Sequence, residues 1–160
     1  MLYLHLKMLH ILAVVMFLGN ITTGIFWKEH ADRTRDPKLI AHAILGIIHS
    51  DRWFTIPGVM LIIIGGVGAA MAGGYPLLRT GWILWGIILF SISGVAFMVW
   101  VAPLQRKMHA LMQAGAQSGA ADWDAYQKMS RTWMFWGAVA LLAPLAALVI
   151  MVIKPALPAF

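Results

Sequence analysis

The sequence predicts an all-α integral membrane protein, a four-helix bundle with both termini on one side of the bilayer. Three observations predict it. Of 160 residues, 61% are apolar and only 11% charged, against about 25% charged in an ordinary soluble domain. A water-soluble fold of this length has nowhere to hide so much apolar surface. Four apolar stretches reach the roughly 20 residues a helix needs to cross a hydrocarbon core about 30 Å thick. The charges fall between these stretches, mostly on one side.

Each span follows in order within a single transmembrane domain, residues 1–160. The first, 2–27, contains only His5, Lys7, His10 and Asn20 as strongly polar residues. Lys7 would fit the basic start of a signal peptide, but the apolar run is long and has no clear small-residue cleavage site. It is read as a retained helix. The spans 53–73, 81–101 and 132–153 contain no Asp, Glu, Lys or Arg. The chain has no cysteine, which excludes disulfides, thiolate metal sites and thioether-linked haem.

Lys and Arg set the expected orientation. Lys28, Arg33, Arg35, Lys38 and Arg52 lie around the first connection, and Arg106, Lys107, Lys128 and Arg131 around the third. These are nine of the twelve basic residues, and all six acidic residues lie on the same side. The positive-inside rule places both connections in the cytoplasm of a bacterial inner membrane, with N- and C-termini and the 74–80 turn outside. Trp27, Trp53, Trp100 and Trp133 are expected at the inner interface, and Tyr3, Tyr75 and Trp82 at the outer one. The net charge of +6 is explained by topology and anionic lipid, with no nucleic acid partner.

Two stretches outside the spans read as structured. In 38–52, Lys38, His42, His49 and Arg52 recur at helical spacing, with Leu39, Ile40, Ile44, Ile47 and Ile48 between them. This is an amphipathic helix, either lying on the inner surface or extending the second span, with Pro57 expected to kink the join. Residues 104–112 continue the third span. The small residues of 115–121 suggest a hinge, and Asp122 or Asp124 a helix cap.

The candidate chemistry lies in polar groups that a membrane makes expensive. His10 sits about 12 Å along the first helix, with Lys7 one turn away. Its imidazole is expected to ligate haem iron, to hydrogen-bond a neighbouring helix, or to transfer protons. Gly65, Gly66 and Gly68 fall close to its depth on the second span, where they admit either a flat macrocycle or another helix. His42, His49 and His109 share the inner side and are a second candidate metal site, with Asp51 or Glu29; a solvated polar stripe on an interfacial helix is the favoured reading. His49 lies roughly 20 Å further inward than His10 if both spans are straight, which excludes a shared haem. A second helix entering the membrane near Leu39 would remove that exclusion.

The run Leu6-Lys7-Met8-Leu9-His10-Ile11, with Val14, Val15, Gly19 and the exit Phe26-Trp27, resembles the first helix of HemJ-type protoporphyrinogen IX oxidases, which bind haem b. It also resembles copper-resistance membrane domains that begin with a similar Lys-x-x-His helix. Taken whole, with Ala31-Asp32-Arg33-Thr34 after the helix, the chain is similar to an uncharacterised family of bacterial integral membrane proteins. The local likeness covers about thirty residues and implies haem b on His10, with Lys7 as a catalytic group.

The functional expectation is a haem b membrane protein that transfers electrons or oxidises a quinol, porphyrinogen or similar small substrate. The alternatives are an accessory subunit of a larger complex, such as a respiratory-chain partner or a homo-oligomer, and a small transporter or metal-handling protein. Walker, dinucleotide-binding and nucleophile-elbow motifs are absent from the sequence.

Overall fold

The computed structural model describes residues 1–159, and within them four long helices form the fold. They are α1 (Leu2–Thr34), α2 (Pro37–Ala72), α3 (Gly81–Ser118) and α4 (Trp123–Ile153), each long and apolar enough to cross a membrane. Successive helices run antiparallel. Both termini and the α2–α3 turn therefore lie at one end of the bundle, and both charged connections at the other. These are called the terminal end and the charged end below.

Every helix is longer than its expected span, and the excess lies mostly at the charged end. α1 continues past Trp27 because nothing there breaks it. Lys28 pairs with Asp32, and Arg33 with Glu29, one turn apart. The helix stops at Arg35, whose left-handed φ of 51° carries its N–H back to the Asp32 carbonyl. Asp36 then caps α2 by accepting from the Lys38 N–H at 2.8 Å, with Pro37 pre-set for the first turn.

The amphipathic segment extends α2 rather than lying on the membrane surface. Its apolar face is buried inside the protein: Ile40 and Ile44 are fully enclosed, as are Met108 and Met112 of α3. Burial of each such side chain is worth about 1.5–3 kcal/mol. The main core therefore sits at the charged end, with Ala96, Val101, Tyr126, Trp133 and Ala140 in the same cluster. Trp133, expected at the lipid interface, is only 3% exposed. A buried lysine needs its ring, as described below.

Both long middle helices contain a π turn, Asp51–Thr55 in α2 and Phe97–Val101 in α3. Each turn precedes a proline, Pro57 or Pro103. A proline has no N–H to donate and clashes with the carbonyl four residues earlier. Widening one turn relieves the clash while the helix continues. The expected kink at Pro57 thus takes the form of a π turn. The expected hinge 115–121 is smaller than anticipated: helix continues to Ser118, Gly119 ends it at φ 76°, and Asp122 caps α4 by accepting from the Ala125 N–H. Gly115 stays helical because its missing side chain makes room for Ala121.

At the terminal end the four helices form two hairpins, α1 with α2 and α3 with α4. Among the described residues, no Cα atoms of Ile56–Ala72 and Gly81–Ala96 come within 8 Å of each other. The hairpins meet through side chains, with the Phe17 and Phe90 rings 5.7 Å apart. Within the first hairpin the approach is close. A Cβ on Gly65 would stand 2.9 Å from the His10 backbone nitrogen, and one on Gly68 3.2 Å from Leu6. Small residues let membrane helices pack in this way where no hydrophobic force separates protein from lipid.

Gly65→Ala should therefore force α1 and α2 apart, at a cost of about 1–3 kcal/mol. Gly19→Ala, where nothing lies within 4 Å of the new Cβ, should be neutral. Thermal unfolding in detergent measures both, and equal melting of the two variants would contradict the close seam.

Candidate functional site

Two polar centres stand out among the described residues, and the sequence pointed to one of them. His10 lies on the α1–α2 seam, half-buried, with Nδ1 2.9 Å from the Ile62 carbonyl. A carbonyl only accepts, so Nδ1 carries the proton and donates. In the neutral imidazole Nε2 then keeps its lone pair. The ring lies against Gly66, where a Cβ would fall 2.9 Å from Nδ1. The open faces of Gly65 and Gly66 are therefore taken up by His10, and that of Gly68 by Leu6. Lys7 is exposed, with Nζ 5.9 Å from the centre of the Tyr3 ring. On a membrane helix this position lets the ammonium reach back to the interface.

The inner histidines are dispersed. His42 and His49 are exposed on α2 and His109 is half-exposed on α3. Among the described residues no group of three or more His, Cys, Asp or Glu could hold a metal ion. His10 meets α2 at Ile62, thirteen residues from His49, or about 20 Å of helical rise. The separation expected from straight spans is thus present in the bundle.

The second centre sits where all four helices converge. Asp51, in the π turn of α2, is 7% exposed. Its Oδ1 accepts from Asn20 Nδ2 of α1 at 3.1 Å and from Thr55 Oγ1 at 2.8 Å. Its Oδ2 accepts from Gln105 Nε2 of α3 at 3.1 Å. Asn20 Nδ2 also donates to Thr55 Oγ1 at 2.9 Å. Asn20 is seven residues before Trp27, about 10 Å along the helix. Asp51 is thus level with the apolar run of α1, deeper than a second span beginning at 53 implies.

Closer to the charged end, Lys28 of α1 is 1% exposed. Its Nζ donates at 2.6 Å to Asp32 Oδ2 and at 2.6 Å to Ser130 Oγ of α4. Tyr126 of α4 donates to Asp32 Oδ1 at 2.5 Å. The ammonium lies 5.5 Å from the Tyr126 ring centre and 5.2 Å from that of Trp133. Two faces of aromatic charge thus supplement the ion pair. Trp133 joins this ion pair to the Asp51 cluster. It lies under Lys28 and also lines a cavity of about 30 Å³ with Asn20, Asp51 and Gln105.

The sequence reading missed this second centre. Asp51, Gln105, Lys28 and Tyr126 all stand outside the expected spans and look like ordinary connection polarity. The available signal was Asn20, an amide in a span that must find a partner in another helix, together with the Asp51 and Thr55 pair one turn apart.

A separate apolar groove of about 480 Å³ opens on the α3–α4 hairpin, lined by Ile88, Ile92, Val95, Trp100 and Trp136 among others. The two indoles stack at 3.8 Å. It faces outward and carries Ser91 as its polar residue.

Asp32→Ala would leave the Lys28 charge buried without its carboxylate, which costs about 3–5 kcal/mol. The double variant Lys28→Met/Asp32→Ala should recover most of that loss. Melting in detergent checks this, and a single variant no less stable than the double would contradict it.

No curated protein and no solved structure matches the chain. A family model described as "Predicted integral membrane protein (DUF2269)" matches residues 4–155, nearly the whole length. The four membrane-length helices agree with that description, and the chain belongs to this family of integral membrane proteins.

Proposed function

We propose that the protein is a haem b-binding membrane protein that transfers electrons or oxidises a small apolar substrate such as a quinol or porphyrinogen. One observation carries the reading. His10 Nδ1 donates to the Ile62 carbonyl, which fixes the tautomer and ring orientation and leaves Nε2 as a free lone pair. This is the arrangement in which a protein prepares an imidazole for iron.

The residues present fit the group at the ligand. His10 would hold the iron through Nε2, and Gly65 and Gly66 serve by seating the ligand-bearing helix against α2. Bound there, haem would supply one-electron chemistry. Lys7, one turn nearer the terminal end, offers a cation suited to the carboxylates of a haem or a porphyrin-type substrate. His49 and the other inner histidines lie too far along the helices to share the iron. In the same reading the charged end faces the cytoplasm of a bacterial inner membrane, with both termini outside, as the distribution of Lys and Arg favours.

Absorption spectra of the detergent-purified protein, oxidised and reduced, test this. The expected result is a Soret band that sharpens on reduction and is lost in His10→Ala, with iron lost in parallel. A folded, colourless, iron-free wild-type protein would overturn the proposal.

A further inference from the structure

The centre around Asp51 contains one donor that the protein does not satisfy. Trp133 is 3% exposed, and its Nε1 is buried without a hydrogen-bond partner. A buried donor left unpaired is destabilising, because it has lost its water and gained no acceptor. The indole lines the same cavity as Asn20, Asp51 and Gln105.

Size and chemistry narrow what belongs there. A water needs at least about 10–15 Å³ of such space, so about 30 Å³ admits one or two waters and excludes a quinone, a haem or an amino acid. A metal cation fits poorly. The amide N–H groups of Asn20 and Gln105 already point at the carboxylate, and Trp133 adds a further donor rather than a ligand oxygen. The unpaired buried atom is a donor, Trp133 Nε1, so the cavity calls for an acceptor. Water accepts from Trp133 Nε1 and donates to an amide oxygen or to the carboxylate.

The carboxylate itself has no cation. The groups bonded to it are Asn20 from α1, Thr55 from its own helix and Gln105 from α3, and Trp133 from α4 lines the cavity beside it. The ion pairs among the described residues, Lys28–Asp32 and Arg33–Glu29, do not include it. Its Oδ2 accepts one hydrogen bond where Oδ1 accepts two, so Oδ2 has room for a proton.

We propose that the cavity is a water site, and that through this water Asp51 takes up and releases a proton at the level of the apolar run of α1. The proton arrives from water at the charged end, crosses the cavity water to Oδ2, and leaves by the same route. The water turns over as it does so. It donates to the ionised carboxylate and accepts from the protonated one, and it keeps the bond from Trp133 in both states. Asp51 is the proton-binding group and Trp133 a positioning residue for the water. The site does not rest on the haem reading and should be present unchanged in His10→Ala.

Infrared difference spectra of the full-length protein in lipid nanodiscs, recorded on a pH step in H2O and again in D2O, test the proposal. The expected result is a carboxylic acid band that shifts down in D2O and is absent from Asp51→Asn. Trp133→Phe should move the band by removing the water's donor, while the band remains. Should Asp51→Asn fail to fold, Asp51→Glu in protein labelled with ¹³C-aspartate keeps the acid, and the band should then lose its isotope shift. A wild-type protein with no such band, a band unmoved by D2O, or one indifferent to either Asp51 or Trp133 would overturn the proposal.

Discussion

A hydrocarbon layer offers no hydrogen bonds, and every polar group placed in it must be satisfied by the protein itself. The whole architecture depends on that constraint. Backbone amides satisfy one another inside four helices. Where Pro57 and Pro103 remove a donor, a single π turn absorbs the defect and the helix continues. Thr22, Thr23 and Ser91 bond back to carbonyls of their own helices, but a buried amide or carboxylate finds partners on other helices. Asn20, Asp51 and Gln105 therefore act as pins between α1, α2 and α3, and Ser93 does the same between α3 and α4 by donating to the Ala140 carbonyl.

The two ends of the bundle are held by different physics. At the terminal end, close packing of α1 on the glycines of α2 holds one hairpin, and the two hairpins meet only through side chains such as Phe17 and Phe90. At the charged end, helix extensions beyond the expected spans bury Ile40, Ile44, Met108 and Met112, and the Lys28–Asp32 pair of α1 is bonded to Ser130 and Tyr126 of α4. His10 belongs to the first region and Asp51 to the second. A redox group on His10 and a proton site at Asp51 would thus occupy separate halves of one membrane protein.

The helices were legible because their signal is composition over about 20 residues, which no local detail can disguise. The amphipathic pattern of 38–52 was legible too, but its destination was not. The same apolar stripe fits a membrane surface or a protein core, and Met108 and Met112 decide between them only once α3 is placed. Asp51 stood out only as a partner for the inner histidines, and its bonds to Asn20 and Gln105 depend on helix pairings that spacing does not reveal. Lys28 and Tyr126 are far apart in sequence and ordinary in composition, and Trp133 resembled a belt tryptophan. Pairings between helices are properties of register, and the π turns shift register in a way that spacing alone does not reveal. His10 was found because an ionisable residue in an uninterrupted apolar run is conspicuous without any structure.

The central claim is that buried hydrogen bonds to Asp51 lock the helices together. A double-mutant cycle between Asp51 and Gln105, with Asp51→Ala, Gln105→Ala and the pair compared by unfolding in detergent, measures that lock directly. Side chains in one network are coupled by about 0.5–3 kcal/mol, and a favourable coupling in that range is predicted. Additive single effects, with no coupling between the two positions, would contradict the account.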